Sequence, residues 1–374
     1  MKFRIERDAF ADAVTWVGRT LPSRPSRPIL TGILVDATSA GITLSTFDAE
    51  TAAQIELSAD VAESGRVLVP GRLLGDIARS LPGLPVDFVV EGSRIQVTCG
   101  RSAFTLPTLS VEDYPVLPQM PTTVGTVPGA TFAAAVSQVA IAAGRDDALP
   151  FLTGILIEVD NTKVTLVATD RFRLAVREFD WTPAVPGAEM RALAPAKGLA
   201  DTAKSLAGAD TVGLGANAAD GASLLGFEGS NRRTTSRLLS EDYPKHRDLF
   251  PKESISSAHM NTAALIESVK RVALVAERNT PVKMSFTDGE VVLRAGTGDE
   301  AQASEVLECS LEGPEITIAL NPHYLLDGLG VLDAPNALMS FTVPEKPVVL
   351  RPATESGDVS GARFHYLLMP VRLG

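Results

Sequence analysis

Leu30-Thr31-Gly32-Ile33-Leu34 returns 122 positions later as Leu152-Thr153-Gly154-Ile155-Leu156, and this repetition governs how the rest of the chain reads. The same offset carries the apolar positions Phe10, Ala13, Val14 and Val17 onto Phe132, Ala135, Val136 and Val139, and Asp48 onto Asp170. One shared pentapeptide can arise by chance, but several features at a common offset mark an internal repeat. Farther along the offset grows, as loop insertions require. Val69-Pro70-Gly71-Arg72-Leu73-Leu74 resembles Ala194-Pro195-Ala196-Lys197-Gly198-Leu199, and Glu112-Asp113-Tyr114-Pro115 returns as Glu241-Asp242-Tyr243-Pro244. A fainter third copy keeps the order: Leu265, Ser268, Val269 and Val272, then Val291-Val292-Leu293, then Asn321-Pro322-His323-Tyr324-Leu325-Leu326.

Each copy spans about 120 residues, within the ordinary range for one domain. It opens with a helix whose apolar residues fall at i, i+3, i+4 and i+7. Strands rich in β-branched residues follow (Ile33 to Asp36, Ile42 to Ser45, Gln54 to Leu57), separated by Gly, Asp and Ser turns. A second helix is opened by Pro near its first turn, at Pro70, Pro195 or Pro322, and an apolar residue (Leu74, Leu199, Leu326) sits four places after that Pro in all three copies. Further alternating strands, such as Ser93 to Cys99 and Ser102 to Leu106, close the unit. Proline-rich, weakly periodic stretches at 118–129 and 251–259 separate the copies. The expectation is three tandem α+β domains at 1–120, 128–250 and 254–374, each with helices covering one sheet face.

The 374 residues are 45% apolar, enough for several cores, and no 18-residue apolar run or N-terminal signal core is present. Cys99 and Cys309 are too few and too far apart for a disulfide framework or a zinc knuckle, which points to the cytoplasm. A net charge of −11 argues against gripping nucleic acid through a bulk basic surface, while leaving room for a local basic lining.

Enzyme signatures are missing: no phosphate-binding Gly-x-x-x-x-Gly-Lys loop, no His-Glu-x-x-His and no Gly-x-Ser-x-Gly. Gly213-Leu214-Gly215-Ala216-Asn217-Ala218 faintly resembles a dinucleotide turn, but without a following helix it reads as a hairpin loop. His246, His259, His323 and His365 lack metal spacing, so neither metal nor cofactor is expected. Asp146-Asp147 reads as a solvated loop pair rather than an acid–base pair.

Two segments are unusual for ordinary surface. Thr169-Asp170-Arg171-Phe172-Arg173-Leu174-Ala175 fits two accounts equally: an Asp170-capped turn with Phe172 in the core, or an aromatic and two arginines projecting beside a peptide groove. The end of the chain, Tyr366-Leu367-Leu368-Met369-Pro370-Val371-Arg372-Leu373-Gly374, stays apolar beyond a comfortable strand, and Pro370 cannot donate to a ladder. An adaptable Met beside Pro and Leu suits an exposed peptide-accepting surface.

With these residues in view, the whole chain resembles the bacterial β sliding clamps, the processivity subunits of DNA polymerase III, in their high-GC Gram-positive form. The carriers are the triple repeat, Arg24-Pro25 ahead of Pro28-Ile29-Leu30, Ala143-Gly144-Arg145-Asp146-Asp147, the Ala168–Ala175 segment and the terminal Leu368–Leu373. The resemblance implies a head-to-tail homodimer closing a six-domain ring around duplex DNA, with helices lining the hole. A weak, screened positive lining would suffice, since the ring holds DNA by topology. The candidate lining cations are Arg72, Arg79, Lys197, Lys204, Lys270 and Arg271, about half of them expected to face the hole, and Arg24 sits in a first-domain loop where the family has a DNA-contacting arginine. Arg101, Phe104 and Leu106 on one side, and Leu274, Val275, Asp299 and Glu300 on the other, are implied at the dimer interface.

The resemblance further implies a groove between the second and third domains, lined by Leu152, Thr169, Arg171, Phe172, Arg173, Leu174, Pro244, Leu249, Met369, Pro370, Val371, Arg372 and Leu373. The polymerase III α subunit, the clamp loader and repair proteins would each insert a short Gln-plus-aliphatic/aromatic segment there. Asp146 stands where the family has a polar DNA contact, a departure in that loop, while departures at Phe172, Asp248 and Glu345-Lys346-Pro347 imply shifted client preference, or a second clamp that resists groove-directed inhibitors. From the residues alone, a monomeric three-domain peptide-binding scaffold competes with the clamp, and a hydrolase using Asp146 or Asp147 stands third.

Overall fold

The computed structural model describes residues 1–146, 148–219, 222–240, 242–276, 280–296, 301–359 and 361–372. Six α-helices lie among them: α1 (Arg7–Gly18), α2 (Gly71–Ser80), α3 (Gly129–Ala140), α4 (Ala196–Ser205), α5 (Thr262–Ala273) and α6 (Pro322–Gly330). None is long and apolar enough to cross a membrane. The residues that the 3.6-residue period marks on α1, α3 and α5 are all buried.

The chain divides into two compact units. The first comprises Met1–Phe132, Thr182–Pro186 and Asp201–Leu238. It contains a five-stranded sheet ending in the edge strand Ser102–Pro107, and a nine-stranded sheet in which Thr51–Leu57 of the first repeat pairs with Arg232–Arg237 of the second. One core draws Phe10, Val14, Leu74 and Ile77 from helices together with Phe88, Val97, Ile33 and Leu44 from strands.

The second unit comprises Ala133–Trp181, Gly187–Ala200 and Leu239–Gly374. Its nine-stranded sheet pairs Arg173–Asp180 of the second repeat with the last strand, Phe364–Leu368, in antiparallel register. A separate four-stranded sheet ends in the edge strand Ala303–Glu308.

The repeated Glu-Asp-Tyr-Pro motif does the same work in both of its copies. Tyr114 is buried against Leu34 and Leu68 in the first unit, and Tyr243 against Leu156 and Leu193 in the second. Each phenol seals the sheet face turned away from the helices, and burial pushes that of Tyr114 up to about 12.

The third copy sets its second helix one residue earlier relative to its proline, and one expectation, the Gly213–Ala218 loop, needs correction. Pro322 is itself the first residue of α6, with Asn321 as its cap, whereas Pro70 stands one place before α2 and α4 begins after Pro195. The fourth helical residue is therefore Leu325, which is fully buried as Leu74 is, and Leu326 is only half-buried. The Asn321 side chain accepts from the His323 and Tyr324 amides, a cap that Pro70 and Pro195 cannot supply.

Gly213–Ala218 is strand, not loop, within Val212–Ala219, paired along one side throughout and on both sides over Gly213–Gly215. Its glycine is explained by close packing, because a Cβ on Gly215 would lie 2.6 Å from the Thr122 carbonyl oxygen.

Candidate functional site

The turn at 169–173 is locked by its own short side chains. Thr169 Oγ1 donates to the Arg173 carbonyl at 2.7 Å and accepts from the Arg171 amide, while Asp170 Oδ1 accepts from the Phe172 and Arg173 amides. Arg171 takes a left-handed φ of 80°, which turns it and Phe172 outward. Phe172 is 52% exposed, with the Arg171 guanidinium 6.0 Å above its ring and the Tyr324 ring stacked at 6.4 Å. Of the two accounts of this segment, the outward-projecting aromatic is the observed one.

Arg173 corrects the expectation of two projecting arginines. It is 5% exposed, and its guanidinium meets Asp170 at 2.9 Å and Asp327 of α6 at 2.6 Å while lying 4.4 Å over the Tyr324 ring. Burial pulls its pKa down, but Tyr366, Asp327 and Asp170 outweigh that and hold it above the ordinary arginine value. The side chain is thus a strut between this turn and α6. Tyr366, whose hydroxyl donates to the Tyr324 carbonyl at 2.9 Å, braces the same corner.

Beyond the last strand, the Met369 amide donates to the Phe172 carbonyl and the Val371 amide to that of Ala319, both at 2.8 Å. The first bond ties the terminal segment to the turn and the second to the strand Ile316–Leu320; Met369, Val371 and Arg372 are exposed and Pro370 is half-buried. Beside Phe172 opens a cavity of about 770 Å³, lined by Gly144, Arg145, Leu152, Arg171, Phe172, Tyr324 and neighbouring residues; Met369, Pro370, Val371 and Arg372 are not part of that lining. Leu152 reaches it from a 3₁₀ turn at Pro150–Thr153, whose entry is tightened by the Gly144 amide donating to the Leu152 carbonyl.

The other expected groove residues are placed differently. Leu174 is buried among Leu156, Val176, Tyr243 and Leu367. Pro244 and Leu249 are exposed on the segment that follows Tyr243, outside the cavity lining, and Leu373 falls outside the described residues. Sequence reasoning missed Asp327, Tyr324 and Tyr366 as site residues. Tyr324 and Asp327 both lie in or beside a recognised repeat helix, but nothing local ties them to Arg173, more than 150 residues away.

Asp146 caps its own turn by accepting from the Ala148 amide, and Asp147 falls outside the described residues. Among the described residues no cluster of His, Cys, Asp or Glu could hold a metal ion.

All seven candidate DNA cations are exposed. Arg79 pairs with Asp76, Lys270 with Glu267 and Arg271 with Glu305, so their charge is compensated within the chain. Arg24, Arg72, Lys197 and Lys204 make no ion pair among the described residues. Of the interface candidates, Arg101 is exposed and Leu274 is 84% exposed, whereas Leu106 is 1% exposed in its own core. The alternation of Ser102–Pro107 explains that burial, since Phe104 and Leu106 share the inward face. Val275 is half-buried, and Asp299 and Glu300 fall outside the described residues.

Three family models of the DNA polymerase III beta subunit match in order: the N-terminal domain over residues 1–118, the central domain over 126–245 and the C-terminal domain over 247–372. The chain belongs to the DNA polymerase III β-subunit family. It is 53% identical to the β sliding clamp of Streptomyces coelicolor, with both chains covered completely. Identity to the β sliding clamp of Micrococcus luteus is 49% over 83% of this chain and all of the relative.

Among solved structures, the sliding clamp of Bacillus subtilis matches with a TM-score of 0.91 at 25% identity, and a Pseudomonas aeruginosa clamp bound to griselimycin with 0.92 at 25%. Both matches cover all of each chain. Three tandem clamp domains and the processivity role in DNA replication follow from this membership.

Two histidines meet where residues 246–254 cover the large sheet: His246 at the start of that segment and His365 on the sheet. Burial pushes both imidazoles below their ordinary 6.5; around His365, Arg351 adds to the shift and Glu178 opposes it. Around His246, Glu158 opposes while Arg247 and Arg191 add. The unfolded chain therefore binds these protons at a higher pH than the native one. This stabilisation is complete above about pH 6.5 and is lost as pH falls through the lower native values. The thermal midpoint is expected to drop by a few degrees between pH 7.5 and 5.5, and the His246→Gln/His365→Gln double variant to flatten that slope. An equally steep slope in the double variant would assign the effect elsewhere.

Proposed function

We propose that the cleft beside Phe172 and the terminal segment is the docking groove through which this chain tethers the replicative polymerase, the clamp loader and other clients. The carrying observation is the Met369 amide bonded to the Phe172 carbonyl, which sets exposed Met369 beside exposed Phe172, with exposed Val371 two residues farther on. Such a strip takes the aliphatic or aromatic anchors of an extended client segment. Arg171 and free backbone groups at its edge orient the partner through hydrogen bonds.

Two copies pair head to tail around duplex DNA, and the three domains run over 1–120, 128–250 and 254–374. The strands Ser102–Pro107 and Ala303–Glu308 support the pairing, since each is bonded on one side only and exposes ladder groups that a second copy can complete. Arg24, Arg72, Lys197 and Lys204, without an ion pair among the described residues, are the cations best placed to meet phosphates. The chain works without chemistry of its own, in the cytoplasm on the nucleoid.

Fluorescence polarisation with a labelled Gln-plus-aliphatic/aromatic peptide tests the groove. Micromolar-range binding is expected for the intact protein and none for a form truncated after Leu368. Undiminished binding by the truncated form would remove the terminal segment from the site.

A further inference from the structure

A second cavity, of about 580 Å³, lies on the large sheet of the second unit, between the strands and residues 246–254. Its floor is set by strand register. His365 stands directly opposite Val176 on one side; on the other the ladder ends at Leu350 with Tyr366, one residue before Arg351 and His365, which both line the cavity. Opposed residues of antiparallel strands share a face with their Cβ atoms roughly 5 Å apart. A guanidinium and an imidazole therefore face one cavity together, both able to donate to the same acceptor once the imidazole is protonated.

No carboxylate of the chain takes that place. Arg351 makes no ion pair among the described residues; its Nη2 reaches only the Ser340 hydroxyl at 3.3 Å, and its Nε is buried without a partner. Thr342, on the same cavity wall, also has a buried hydroxyl without a partner. Glu158 is already held at the other end of the face by Arg191, His246 and Arg247 at 3.5–3.9 Å. Glu178 and Glu253 lie exposed at the rim. A half-buried guanidinium with an unused N–H costs free energy unless an acceptor arrives from outside.

We propose that this cavity is an oxyanion site, taking a carboxylate or phosphoryl group between Arg351 and His365 with the Thr342 hydroxyl as a third donor. The site is separate from the Phe172 cleft and does not depend on the groove reading. An anion seated there also favours the imidazolium form of His365, so occupancy and protonation rise together.

The test follows the His365 ring Cε1–H resonance in the full chain, titrated at constant ionic strength with inorganic phosphate in one arm and N-acetyl-glutamate amide in the other. A saturable shift with a raised His365 titration midpoint is expected in at least one arm. Phosphate alone would identify a phosphoryl ligand and the amide alone a carboxylate side chain. Arg351→Gln should weaken binding by about tenfold or more, as loss of a charged hydrogen-bond donor does. Should that variant fail to fold, Thr342→Val serves in its place with a several-fold weakening. Absence of any saturable shift in both arms, or affinity unchanged in the folded variant, overturns the assignment.

Discussion

Replacing Arg173 with alanine is expected to destabilise the chain by about 3 kcal/mol, the lower end of the range for breaking a buried ion pair. The lower end applies because Asp327 is nearly half exposed and can recover water, whereas the Asp170 side chain is largely buried. Asp170 must keep accepting from the Phe172 and Arg173 amides, so it cannot swing away to solvent without dissolving the turn. The same change frees the Tyr324 ring from its cation and separates the Phe172 turn from α6, so peptide binding at the cleft is expected to fall at least as far as stability. Arg173→Lys keeps a charge but not a two-pronged fork, and should land between wild type and alanine. Denaturant unfolding and peptide polarisation on both variants, with Asp327→Ala and the double variant closing a cycle, measure the coupling. A coupling near zero would show that the strut is ornamental and that the cleft is held by backbone bonds alone.

The parts of the fold legible in the sequence are those whose cause is local. Phe10, Val14, Phe132, Val136, Leu265 and Val269 announce their helices because a 3.6-residue period must bury one face wherever the helix sits. The 122-residue offset survives because each copy solves the same packing problem. It slips only where one copy gains a residue of register: Pro322 enters α6 because Asn321 already caps it, which puts the core position at Leu325 rather than Leu326.

Gly213 and Gly215 read as loop because glycine is a turn former, yet the strand needs them so that the 121–123 segment can cross close by. The site was harder to read for a different reason. Its exposed half, Phe172 and Met369, stands out as apolar residues where polar ones belong. Its buried half, Arg173 with Asp327 and Tyr366, is a long-range constellation that strand pairing assembles, and Leu106 is hidden by alternation that only a known inward face can phase.

Gly328 offers the sharper probe of how α6 supports the cleft. A Cβ added there would lie 2.3 Å from two ring carbons of Tyr366, far inside any real contact. The ring has nowhere to go: it is fully buried, stacked on Phe364, and tied at its hydroxyl to the Tyr324 carbonyl. The helix must therefore yield instead, although Leu325 and Leu329 anchor it in the core. Overpacking of this kind costs about 1–3 kcal/mol, and the rigid ring places Gly328→Ala at the upper end, beyond the roughly 1 kcal/mol that alanine returns in helix propensity.

Displacing α6 carries Tyr324 and Asp327 away from Phe172 and Arg173, so weakened peptide binding should accompany the loss of stability. Gly330→Ala, on the same helix with nothing within 4 Å of the new methyl, separates propensity from packing and should be neutral or slightly stabilising. Thermal unfolding and polarisation of the two variants decide the matter. If Gly328→Ala is as stable as Gly330→Ala and binds peptide equally well, α6 is free to slide on the last strand, and the cleft owes its shape to the terminal segment rather than to this helix.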